Sequence, residues 1–187
     1  KGIMTRHSDA FGKLIDENGD PLTGQDGSTY ISNSNDFSSL LLGDDNRLYM
    51  VSHFENRPGG IYLTQVRQTR DGKLLPLRTR PLDLAHIAGS WVPCAGSVTP
   101  WGSHLGSEEY EPDARQWLDG NIDEYNAAMA LYLGLNWSDV SNNDGDTSDE
   151  APNQSAIANV MNPYDYGYPV EVKVKNFNNA TVAKHYA

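Results

Sequence analysis

The segment Trp91-Val-Pro-Cys-Ala-Gly-Ser-Val-Thr-Pro-Trp-Gly-Ser-His-Leu-Gly-Ser-Glu-Glu-Tyr110 contains the single cysteine of the chain, Cys94. Ala95, Gly96 and Ser97 follow it, small residues that let a backbone or a ligand come close. Two adjacent carboxylates, Glu108 and Glu109, lie fourteen and fifteen residues further on, with His104 between. A thiolate among carboxylates suits a transition-metal site, and flanking acids suit hard cations such as calcium. Side chains alternate along a strand, so only one of Glu108 and Glu109 can face the same centre as Cys94. The same residues also admit a plainer reading, a buried structural thiol and a solvent-facing acid pair.

Other chemistries are excluded by spacing. The chain has no phosphate-cradling G-x-x-x-x-G-K-[ST], no G-x-S-x-G nucleophile elbow and no H-E-x-x-H zinc helix. Asn142 to Asp149 resembles a calcium loop in composition only. Putting Gly145 at loop position 6 places Val140 and Ala151 where oxygen ligands are required. An irregular calcium site at Asp144, Asp146 and Asp149 is the alternative to a solvated loop.

The chain has 187 residues with 14 Lys+Arg against 25 Asp+Glu, a formal net charge of −11. That charge disfavours nucleic acid and anionic membrane surfaces as partners. It is unevenly placed: residues 1–93 carry 10 bases and 11 acids, residues 94–187 only 4 bases and 14 acids. One cysteine leaves no intrachain disulfide, and no run approaches the roughly 20 apolar residues of a membrane span.

The elements that must position these residues read as mostly β. Residues 1–36 are rich in Asn, Asp, Gly and Ser and form a loop-rich N-terminal segment. Arg47 to Phe54, Ile61 to Arg67 and Leu74 to Leu77 are three short strand runs. Pro58-Gly59-Gly60 and Asp71-Gly72 turn them into a meander, the unit of antiparallel sheets and propellers. Ala85 to Gly106 reads as irregular. Leu118, Ile122, Tyr125, Met129 and Tyr132 make one apolar stripe, which predicts a helix from about 112 to 133, weakened by Gly120. A short helix is expected from Gln154 to Val160. Val170 to Val174 and Thr181 to Tyr186 pair as strands across Asn178-Asn179. Trp91, Trp101 and Tyr164 to Tyr168 are expected to pack the sheets.

Cys94-Ala-Gly-Ser-Val-Thr-Pro-Trp-Gly102, ending in Glu108-Glu109, resembles the signature of the PhoX-like bacterial alkaline phosphatases. Met50-Val-Ser-His-Phe-Glu55 resembles the strand that precedes the signature, and Asn162 to Val174 with Lys184-His185-Tyr186 the strands that follow. The resemblance implies a secreted or periplasmic bacterial enzyme on a β-propeller, hydrolysing phosphate monoesters at a centre of iron (Fe3+) and calcium. It implies that Cys94 bridges the irons, that Glu108 and Glu109 supply carboxylates, and that His53 and Glu55 are further metal candidates. The family commonly has Asn-His-Glu where this chain has Ser52-His53-Phe54-Glu55, so Phe54 moves the acid by one residue, to the other face of a strand. On this reading residues 37–187 are part of a propeller that continues beyond the chain end. The remainder of the polypeptide or another chain would complete the site, and the 187 residues alone are expected to be inactive. The alternative is a non-catalytic extracellular module that binds calcium or a partner protein and keeps the signature for structure.

Overall fold

The computed structural model describes residues 12–140 and 153–186. Two four-stranded antiparallel sheets dominate it, each a meander with its strands side by side in chain order. The first holds β1 (Asn35–Leu42), β2 (Leu48–Phe54), β3 (Gly60–Gln68) and β4 (Leu74–Pro81); the second holds β5 (Pro93–Val98), β6 (His104–Glu108), β7 (Pro169–Asn176) and β8 (Asn179–Lys184). Asp71-Gly72 does turn β3 into β4: Gly72 has φ +85°, and its amide donates to the Thr69 carbonyl at 3.0 Å.

The sheets share one core. Leu41, Tyr49, Val51, Ile61 and Leu63 from the first sheet join Val170, Val172, Val174 and Val182 from the second. Burying each such side chain stabilises by about 1.5–3 kcal/mol, so strand alternation here fixes which face turns inward. The first strands of the two meanders, β1 and β5, are neighbours. Gly96 on β5 makes that approach possible, because a Cβ there would stand 2.3 Å from Phe37 Cδ1 and 2.9 Å from the Leu105 carbonyl.

Three sequence expectations change. The helix predicted over 112–133 is broken into α1 (Arg115–Asp119), a 3-10 turn at Glu124–Asn126 and α2 (Ala127–Tyr132). Gly120 ends α1 in the left-handed conformation, φ +63°, and its amide closes back on the Gln116 carbonyl. Ile122, Met129 and Tyr132 are buried with Trp91, whereas Leu118 is 84% exposed. The stretch read as irregular, 85–106, contains β5 and most of β6, because Gly, Ser and Pro hid a pairing that only the partner strands reveal. Trp101 is 69% exposed and does not pack between the sheets.

Further along, α3 (Trp137–Val140) and α4 (Gln154–Val160) follow, the latter as expected, with the Asn153 side chain capping it through the Ala156 amide at 3.1 Å. Asp144, Asp146 and Asp149 lie outside the described residues. Among those residues no helix is long and apolar enough to cross a membrane.

Candidate metal centre

The antiparallel order brings the starts of β1 and β5 and the ends of β2 and β6 to one end of the two sheets. In the first sheet, Asn35 pairs with Phe54 and Ser38 with Ser52, which leaves one extra residue on β1. In the second, Pro93 pairs with Glu108 and Gly96 with Gly106, leaving one extra residue on β5. Each is a β-bulge, a device that bends a strand and re-aims its side chains. Asp36 sits in the first bulge and Cys94 in the second.

The acids follow the same repeat. Glu55 is the first residue past β2, and Glu109 the first past β6. The Glu55 amide donates to the Ser34 carbonyl at 2.8 Å and the Glu109 amide to the Val92 carbonyl at 3.2 Å, each carbonyl two residues before the bulged residue. The two sheets therefore supply equivalent pairs of positions: Asp36 with Glu55, and Cys94 with Glu109.

Potential ligand atoms of Asp36, Glu55 and Cys94 all lie within 4.8 Å of one another. Glu109 adjoins them, acting on both Glu55 and Cys94. A hydrogen bond with Asp36, burial, and the negative charges of Asp36 and Glu109 push the Cys94 thiol up to about 12. Burial, with Asp36 and Glu109, raises the Glu55 carboxyl. Glu55 and Cys94 hold their protons more tightly because acids crowd against them. Bound cations reverse that condition, so the donor set fits a metal centre: sulfur and oxygen for a transition ion, oxygen for calcium.

Glu108, the last residue of β6, is turned away from Cys94. It is buried, forms an ion pair with Lys184 at 3.1 Å, and accepts from the amides of Trp91 (2.8 Å), Gly167 (2.9 Å) and Tyr168 (3.3 Å). Burial lowers Lys184 while Glu108 opposes the shift. This pair ties β6 to β8 and to the loop before β7.

His53 is fully buried, and its Nε2–H donates to the Cys94 carbonyl, so it holds the bulge by its backbone. Its ring meets His104 edge-on, centroids 5.3 Å apart, and His104 bonds Ser39 Oγ through Nδ1 at 2.9 Å. Burial and His53 bring His104 down to about 3, so both rings are neutral packing groups at pH 7. Gly106 lies against both, since a Cβ there would stand 2.9 Å from His53 Nδ1.

Asp36 is the site residue that sequence reasoning passes over. It follows a run of Asn and Ser that reads as loop, and its place depends on a bulge that only the β1–β2 register exposes. Glu55 reaches the cluster despite Phe54 because β2 ends at Phe54, so alternation no longer governs the next residue.

No curated protein and no solved structure matches the chain. The sequence profile of the alkaline phosphatase PhoX family matches residues 70–187, a span that includes Cys94 and Glu109, while Asp36 and Glu55 precede it. A match over more than half the length, with the bulged cysteine and its partner acid inside it, assigns the chain to the alkaline phosphatase PhoX family.

Proposed function

We propose that the chain is part of a secreted, metal-dependent phosphatase that hydrolyses phosphate monoesters at a centre built from Cys94, Asp36, Glu55 and Glu109. The observation that carries this reading is the convergence of Asp36, Glu55 and Cys94 within 4.8 Å in a chain of the PhoX family. Iron and calcium are the proposed metals, iron at the thiolate and calcium among the carboxylates. When bound, such cations neutralise phosphoryl oxygens and stabilise the charge that grows in the transition state.

The chain's own residues hold and orient. The two bulges direct Asp36 and Cys94 to one point; Glu55 and Glu109 are steered by their paired amide bonds. His53 fixes the Cys94 carbonyl, and the Glu108–Lys184 pair anchors the strand end that carries Glu109. Two successive four-stranded meanders, packed face to face with their first strands adjacent, support a propeller of which these sheets are two blades.

Cys94→Ala in the full-length protein is expected to lower iron content and to cut aryl phosphate hydrolysis by at least about a hundredfold. Unchanged iron and unchanged turnover would refute the reading. A wild-type protein holding calcium without iron, and inactive across pH, would instead favour the non-catalytic module.

A further inference from the structure

Arg57 stands two residues beyond Glu55. Its guanidinium lies over the Trp91 ring, 5.0 Å from the centroid, and over the Tyr125 ring, 5.3 Å from the centroid. Trp91 is three residues before Cys94, and Tyr125 comes from the 3-10 turn of the helical excursion. Arg57 is thus held by two ring faces, one three residues before Cys94 and one from the helical segment, which orient the guanidinium.

Among the described residues Arg57 forms no ion pair, and its Nε is buried without a hydrogen-bond partner. Its backbone adjoins the cluster: the Val92 amide donates to the Asn56 carbonyl at 2.9 Å, and the Val92 carbonyl accepts from the Glu109 amide at 3.2 Å. A half-buried arginine is usually spent on a carboxylate; among the described residues this one bonds none. A guanidinium fixed by ring faces, with a buried and unpartnered Nε–H, suits a tetrahedral oxyanion, which it can take in bidentate fashion.

We propose that Arg57 binds the phosphoryl oxygens of the ester, and of the phosphate product, at the rim of the metal centre. This rests on reading the cluster as a phosphatase centre. Cations held by the four ligands attract the anion, and Arg57 fixes its orientation with directed hydrogen bonds from outside the ligand set. Tyr125, 60% exposed, orients the guanidinium and is a positioning residue.

The test uses the full-length, metal-loaded protein and inorganic phosphate as the probe. Arg57→Lys keeps the cation over the rings but removes the fork; Arg57→Gln removes the charge. Calorimetry is expected to show phosphate affinity down about tenfold for the lysine variant and further for the glutamine variant, with metal content unchanged. Tyr125→Leu, a surface change that spares the fold, is expected to weaken phosphate about threefold, still with full metal content. The KM for an aryl phosphate should rise in the same order. Wild-type phosphate affinity in the Arg57 and Tyr125 variants would overturn the proposal. So would loss of metal with unchanged affinity in the loaded fraction, since Arg57 would then only balance the cluster's charge. The phosphatase reading fails on a different result, a wild-type protein that retains no metal or binds no phosphate.

Discussion

Cys94 has the proton economy expected of a ligand awaiting its metal. Held at about 12 by its bond to Asp36, by burial and by neighbouring negative charge, it is a thiol throughout the neutral range. Glu55 is raised for related reasons. Metal must displace these protons, so affinity rises with pH and loading acidifies the solution. We expect about one proton or more released per centre at pH 7, read by titration calorimetry in two buffers of different ionisation enthalpy. Binding with no proton release would show that the thiol stays protonated and is not a ligand. The direction follows from the raised values: acidification strengthens the proton's competition and strips the metal. At this scale Cys94 and the Glu108-Glu109 pair were legible as a thiol with nearby carboxylates, and Glu55 only through the family resemblance. Asp36 was not, because nothing in its neighbours separates a loop aspartate from a bulged one.

The element that makes the site possible is the pair of first strands, β1 and β5, and their contact depends on Gly96. With a Cβ at 2.3 Å from the Phe37 ring, Gly96→Ala forces the two strands apart or turns the ring from its place. The expected cost is about 1–3 kcal/mol in urea unfolding, with weaker metal retention because Cys94 and Asp36 ride on those strands. Combining it with Phe37→Leu should recover part of the loss. A fully tolerated alanine would mean that the strands do not meet this closely. The small residues beside Cys94 were readable in advance as a place of close approach, but they admit a phenylalanine from β1. Alternating strands such as Val170 to Val174 were equally plain. The single long helix was not, because periodicity registers the apolar stripe and misses the backbone reversal at Gly120.

For the whole molecule, the proposed centre would cross-link the two sheets. Each meander contributes one bulged residue and one residue past a strand end, so cations bound there join parts of the chain far apart in sequence. Removing them leaves four acidic groups crowded together. Chelation is therefore expected to lower Tm by about 5 °C or more, and calcium with iron to restore it in a concentration-dependent way. An identical Tm with and without chelator would argue that the cluster holds no metal in the folded protein. The uneven charge, 4 bases against 14 acids after residue 93, becomes intelligible only in part at this scale. Glu109 joins the cluster, while Glu108 pairs with Lys184 and Glu171 with Lys173, Glu171 also bonding Ser103, Trp101 and His185.

By itself the sequence determined the β-rich class, most strands, the family and the central cysteine, because these rest on local periodicity, turn chemistry and a contiguous motif. Tertiary structure alone decided which acids meet that cysteine. Register, bulges and strand ends set side-chain direction, and each is a property of paired strands: one extra residue on β1 brings Asp36 in, one position along β6 sends Glu108 to Lys184.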